Sequence, residues 1–285
     1  MLTIRRAVLA AAAGLSAYGV TRGVIAWRDR LDSKGSLKRV NHAGHTVSLI
    51  EGPAVMAGLA VSGLFLEPPR LAVATTGVTL GSGLLGLLDD MSTDTANKGF
   101  GGHIRALRQG RVTTGALKAL GIPLLSVTGA YVLGKRGIWA VCAGGVTAGT
   151  ANVLNLCDLR PGRALKAGLV LLTLDPRITA NAHSAGLGAL GVIAAALPHD
   201  LQGRTMLGDT GANALGAALA QTWVYASGNS RILMRLAILT GLTVLSERVS
   251  FSRIIATTPG LREFDAWGRE ITQAHHLQQS TDRAV

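Results

Sequence analysis

Charge is scarce in this chain. Of 285 residues only 15% are charged and 4% aromatic, against 48% hydrophobic. A soluble domain carries nearer about a quarter charged residues, and the charges here are bunched between long apolar runs. That pattern excludes an ordinary soluble fold and indicates an all-α, polytopic transmembrane bundle. Cysteine is almost absent. Cys142 and Cys157 lie 15 residues apart on one predicted helix, about 22 Å, too far to pair, and read as packing residues. No Cys/His set suits zinc. The formal net charge is +12, but there is no arginine-rich arm and no aromatic-interleaved basic patch, so nucleic acid is not an expected partner. Basic loops on the inner side of a membrane account for the excess. Glycine, by contrast, is abundant at 37 residues, which suits close helix packing in lipid.

Residues 7–21 are apolar and follow Arg5-Arg6, but no small-x-small cleavage site comes after them; they read as an uncleaved first span. Arg22, Arg28, Arg30, Lys34, Lys38 and Arg39 follow this span. The positive-inside rule therefore places residues 28–51 in the cytoplasm and the N-terminus outside. Further spans are expected at 52–66, 71–88, 114–134, 137–157, 161–174, 178–198, 211–230 and 232–246, about nine in all. The segment 161–174 is short and holds Arg163 and Lys166, whose stems would snorkel to the interface. If it crosses, the acids at 89, 158 and 209 share one side; if it does not, Asp209 faces away. Residues 1–249 thus form a bundle. Residues 250–285 form a cytoplasmic tail with a short interfacial helix within 254–267.

The third span ends abruptly. Leu71 to Leu88 contains no charge, and Asp89 and Asp90 follow at once. Two adjacent carboxylates repel each other and need solvent, a basic partner or a divalent cation. Three more features fall on the same side: Lys118, one turn inside a span; Asn155 and Asp158 at the end of another; and Gly208-Asp209-Thr210-Gly211. Glycines around Asp209 permit a tight turn at a helix N-terminus, where free amides favour anions. Carboxylates at helix ends amid basic loops suit Mg²⁺, with Mn²⁺ as substitute, and a phosphate-bearing ligand. Lys118 suits a pyrophosphate.

The ordered trio Gly-Leu-Leu-Asp89-Asp90, Asn155-Leu-Cys-Asp158 and Met-Leu-Gly208-Asp209-Thr-Gly-Ala resembles the polyprenyl-phosphate N-acetylhexosamine-1-phosphate transferase superfamily, over roughly residues 41 to 220. The resemblance implies a membrane phosphoglycosyltransferase. It would move a sugar-1-phosphate from a UDP-linked sugar to a polyprenyl phosphate, release UMP and serve cell-envelope polymer synthesis. It implies an active site on the cytoplasmic face of a bacterial-type plasma membrane, with a homodimer among the assemblies allowed. Carried over by motif position, Asp209 would ligate Mg²⁺, and Asp89 and Asp90 would engage metal and acceptor phosphate. Lys118 would hold phosphate, and Asn155 and Asp158 would orient the nucleotide or sugar-phosphate. Arg160 and Arg163 would add charge for a phosphate, and His199 stands near the position of a family asparagine. His275-His276 would correspond to the family's His-rich loop, although a solvated pair is the plainer reading. Pro161 stands where the family pattern has its second acid, the one associated with nucleobase recognition. The alternative is a divergent member acting as a transporter or membrane scaffold.

Overall fold

The apolar runs that the sequence marks out fold as helices whose ends are set by local chemistry. A computed structural model describes residues 2–40, 44, 46–92, 113–174 and 183–269. Helix α1 (Leu2–Ala26) passes through Trp27 into the short α2 (Arg28–Leu31), and a small antiparallel hairpin follows, β1 (Lys38–Val40) with β2 (Thr46–Ser48). Next come α3 (Glu51–Ser62), α4 (Pro69–Asp90), α5 (Thr114–Val132) and α6 (Ile138–Cys157). Then follow α7 (Arg163–Thr173), α8 (His183–Leu201), α9 (Gly208–Ala226) and α10 (Asn229–Ser246), and the short α11 (Phe251–Thr257) and α12 (Leu261–Ala266) close the described chain. Pro69 opens α4 at a position where its missing N–H costs nothing. The Thr113 hydroxyl caps α5 by accepting from the Ala116 amide at 3.2 Å. Gly162, at φ +75°, makes the left-handed turn into α7.

Five of these helices are long and apolar enough to cross a membrane: α1 from Ile4, α4, α5, α6 and α8. Their outward faces are apolar too, with Val8 and Leu15, Val73 and Leu84, Leu120 and Leu124 all exposed. Apolar surface on every side suits a lipid surround.

The hub is α9. Every residue from Thr210 to Val224 is buried, because α3, α4, α6, α7 and α8 all pack against it. Its small side chains allow this. A Cβ at Gly216 would sit 2.6 Å from the Ala151 Cα of α6, so the two backbones touch with nothing between them. Around this hub, α1 lies on α8 and α3, α5 lies on α4 and α6, and α10 flanks α6. One cluster of the core joins Leu154, Leu165, Val192, Ile193, Leu207 and Leu215. A second joins Leu71, Val146, Val224, Ile232 and Leu239.

The loop at 28–51 contains α2 and the hairpin, and Ser48 pairs in parallel with Thr205. The segment 254–267 holds α12 and the end of α11, divided at Pro259-Gly260. One expectation needs revision. Arg163 and Lys166 do not snorkel; they are 4% and 1% exposed. The Arg163 guanidinium meets Asp265 in two bonds, 2.7 and 3.0 Å, and the Ser252 hydroxyl at 2.8 Å. The Lys166 ammonium donates to the carbonyls of Phe264, Asp265 and Trp267 at 3.1, 2.7 and 2.6 Å. These are the last carbonyls of α12, which a cation satisfies well. The start of the expected tail is therefore fastened to the bundle.

Candidate functional site

Consecutive residues on a helix point about 100° apart, so Asp89 and Asp90 at the end of α4 take different surroundings. Asp89 faces α5. Its Oδ1 accepts from the Thr114 hydroxyl at 2.7 Å, and its Oδ2 accepts from the Lys118 ammonium at 2.6 Å. The same ammonium donates to Oδ2 of Asp209, the second residue of α9. The three side chains remain open to solvent, Lys118 at 20% and each carboxylate at 24% exposure. One cation held between two carboxylates at the meeting point of α4, α5 and α9 is the centre of the site.

Asp90 faces inward and is 6% exposed. Its Oδ1 accepts from the Asp209 amide at 3.1 Å, and its Oδ2 accepts from the Thr210 amide at 2.9 Å and the Thr210 hydroxyl at 2.7 Å. Asp158, just past the end of α6, accepts from the Gly208 amide at 2.7 Å. The first three amides of α9 are thus taken by carboxylates from two other helices, which satisfies donors that a helix leaves unpaired and places negative charge at the positive end of its dipole. The anion expected at this helix end is supplied by the protein itself. Two glycines make the arrangement possible. Gly208 has φ +64°, and a Cβ at Gly86 would lie 2.7 Å from the Thr210 amide nitrogen, so α4 ends directly against the start of α9.

Behind the cap lies a second group of acids. Glu51, the first residue of α3, is fully buried, and Asp200, near the end of α8, is 1% exposed. Together with Asp158 they act electrostatically on one another. The Thr205 hydroxyl donates to Glu51 Oε2 at 2.5 Å, and the Gly162 amide donates to Asp200. Among the described residues, Glu51 Oε1 and Asp200 Oδ2 have no hydrogen-bond partner. Burial, and then the neighbouring Asp200 carboxylate, push Asp158 well above the usual carboxylate range, against the pull of the Gly208 amide.

Of the residues singled out in the sequence, Asp89, Asp90, Lys118, Asp158 and Asp209 come together. Asn155 lies one turn back on α6, half-buried, with its carbonyl accepting from the Asp158 amide at 3.1 Å. Arg160 is exposed. Arg163 is spent on Asp265 and Ser252, not on the site. His199 meets the Arg22 guanidinium through Nε2 instead of joining the acids. Asp94, Lys98, His103, Arg105, Arg108, Arg111, His275 and His276 lie outside the described residues. Sequence reasoning missed Thr114, Thr210, Arg39 and Glu51. The Arg39 guanidinium donates to the Asp90 carbonyl at 3.0 Å. A glutamate at the very start of an apolar span, as in Ile50-Glu51-Gly52, is the one local signal that could have marked Glu51.

Among the described residues, no group of three or more His, Cys, Asp or Glu side chains is arranged to hold a metal ion. Asp89 and Asp209 do form a pair of hard oxygen donors converging on one cationic position, which suits Mg²⁺ completed by water and substrate phosphate. Asp90 has both oxygens hydrogen-bonded to the start of α9. The chain matches no protein-family model and no curated protein.

Proposed function

We propose that this protein is a membrane phosphoglycosyltransferase acting at the Asp89–Lys118–Asp209 centre. It transfers a sugar-1-phosphate from a nucleotide-sugar, most simply a UDP-sugar, to a polyprenyl phosphate. An oxygen of the lipid phosphate forms a bond to the β-phosphorus. The bond from that phosphorus to the bridging oxygen breaks, and UMP leaves. The observation that carries this reading is the single ammonium shared by two solvent-accessible carboxylates where three helices meet. Such a constellation is set to receive a diphosphate, since phosphoryl transfer asks mainly for positioning and charge neutralisation. Lys118 turns its ammonium to a phosphate oxygen, Thr114 holds Asp89 in orientation, and Asp90 and Asp158 fix the end of α9 that carries Asp209. Asp89 and Asp209 would hold Mg²⁺ or Mn²⁺, which when bound neutralises the diphosphate oxygens.

The topology that goes with this reading has nine crossings, α1 and α3 to α10, with the N-terminus outside and the site and C-terminus cytoplasmic in a bacterial-type plasma membrane. Support comes from the hydrogen bonds that gather the ends of α4 and α6, and the starts of α5 and α9, at one end. Basic residues flank that end. The 11 residues of α7 span about half a bilayer core, so this segment is the weakest crossing. Reporter fusions at Gly110 and Val285 should both read cytoplasmic, and a periplasmic signal at Val285 alone would remove the nine-crossing arrangement.

The activity is tested by giving purified protein a polyprenyl phosphate, Mg²⁺ and a panel of UDP-sugars, and measuring UMP. Release is expected only with lipid acceptor and divalent cation. Folded protein that releases no UMP with any sugar in the panel would sink the reading. A transporter role would then be favoured by the buried oxygens of Glu51 and Asp200 that have no hydrogen-bond partner among the described residues.

A further inference from the structure

On the same end of the bundle, but away from the acids, lies a cavity of about 290 Å³ between α2 and the hairpin. Arg28, Asp29, Asp32, Lys38, Thr46, Ser48 and Arg204 are among the residues that line it. Its walls are fixed by hydrogen bonds to the backbone. Asp32 holds the turn after α2 by accepting from the Leu37 amide at 3.0 Å. The Ser48 amide donates to the Arg204 carbonyl at 3.3 Å, and the Ser48 carbonyl accepts from the Met206 amide at 2.9 Å. Lys38 and Ser48 are partners in the hairpin register, and Thr46 is two residues from Ser48, so all three lie on one face of the pleat.

Three cations, Arg28, Lys38 and Arg204, and two acids, Asp29 and Asp32, line this cavity, so its lining carries a net positive charge. Arg22 on α1 contacts His199 Nε2, and Arg28 and Arg204 also act electrostatically on that imidazole. Asp32 is engaged with the Leu37 amide, and Asp29, 3.6 Å from Arg28, has a side chain 91% exposed. Beside the cavity, Trp27 and Leu31 are exposed at 59% and 57%, and Arg30 lies over the Trp27 ring at 5.3 Å. An aromatic and basic pair at the end of an apolar helix belongs at a lipid headgroup layer.

We propose that the cavity between α2 and the hairpin is a phosphate-binding site, distinct from the Asp89–Lys118–Asp209 centre and independent of the transferase reading. Arginine forks, lysine and two hydroxyls are the groups that recognise phosphate oxygens. The ligand is an anionic phospholipid headgroup of the adjoining leaflet or a soluble phosphate, the two sources sharing this chemistry. The site is also joined to the acids. Arg39, next to Lys38 on β1 and so on the opposite face of the pleat, reaches the Asp90 carbonyl, and Met206 is two residues from Gly208.

The test uses the full chain in nanodiscs of mixed phosphatidylglycerol and phosphatidylcholine, with native mass spectrometry of retained lipid. A thermal-shift titration with inorganic phosphate in detergent runs in parallel. Selective retention of phosphatidylglycerol identifies the lipid source, and a phosphate shift without lipid selectivity identifies the soluble one. In either case Arg28→Gln/Lys38→Gln should abolish the effect. A single Lys38→Gln variant, expected to weaken binding several-fold, serves if the double variant folds poorly. Absence of both effects in the parent protein, or their full survival in the folded variants, overturns the proposal.

Discussion

Two groups of carboxylates share one end of this bundle and differ in almost every physical respect. Asp89 and Asp209 are partly open and hold a lysine between them. Glu51, Asp158 and Asp200 are buried, and they accept hydrogen bonds from a hydroxyl and from backbone amides. Under the transferase reading the first group is charge kept ready for exchange, because a lysine side chain can release its carboxylates to a stronger partner with little rearrangement. The second is scaffold: its acids fix where helices begin and end, and any charge they carry is costly to bury. Asp90 belongs by position to the first group and by its bonds to the second. Adjacency in sequence is therefore a poor guide to shared duty.

The largest effect that would separate the groups is on catalysis. Under the transferase reading, Asp89→Asn and Asp209→Asn keep size but remove charge, and each should lower the rate of UMP release by at least about a hundredfold. Circular dichroism and melting should be close to the parent. If Asp90→Asn keeps most of the activity while the other two lose it, the comparison stands. Equal loss at all three, with folding intact, would break it.

The next effect is on stability. Asp90→Ala strips acceptors from the Asp209 and Thr210 amides and should cost about 1–3 kcal/mol. Asp158→Ala frees only the Gly208 amide and should cost about 1 kcal/mol. Denaturation in mild detergent would rank them, and the reverse order would place the weight of the cap on Asp158.

Smaller again is the expected change for Glu51→Gln. It removes an ionisable carboxyl facing Asp200 while an oxygen remains for the Thr205 hydroxyl, so stability should hold or rise within about 1 kcal/mol. A marked loss of stability would mean that the charge of Glu51 is needed, and the scaffold description of the buried group would fail.

The smallest effect is a pH response at the fastening of α12. Burial raises the Asp265 carboxyl, but hydrogen bonds from Arg163 and Arg269 outweigh it and hold the group at about 2. A carboxylate lowered by folding adds stability above its unfolded value, near about 4, and loses it as pH falls through the folded one. Proteolysis between α10 and α11 should thus stay slow down to about pH 4 and quicken between there and pH 2. Asp265→Asn should quicken it at neutral pH.

Much of the architecture was legible because it rests on local pattern. An uncharged run from Leu71 to Leu88 ending in two acids announces a helix and its terminus, and Gly208 and Gly211 around Asp209 announce another. The approach of Asp89, Lys118 and Asp209 also followed from counting apolar runs. The division of labour between Asp89 and Asp90 was not legible, because it depends on which neighbours stand at each 100° of the helix. Nor was the fate of Arg163 and Lys166. Their partners lie about a hundred residues downstream, and no local feature of Asp265 or Trp267 points back to them. Glu51 was overlooked because a lone acid before an apolar span reads as solvated until a helix end is placed over it.

The burial of α9 has a consequence for how the molecule is made. This helix is not among those apolar and long enough to cross a membrane unaided, and it carries Asp209, Asn213 and Gln221. It also emerges from the ribosome after α3, α4, α6, α7 and α8, the helices that enclose it. Lipid is a poor first solvent for it, and a groove among its predecessors is a good one. The order of the chain thus places these five enclosing helices before the helix they enclose. The hydrogen bonds from Asp90 and Asp158 to its first amides hold its start against the ends of two of them.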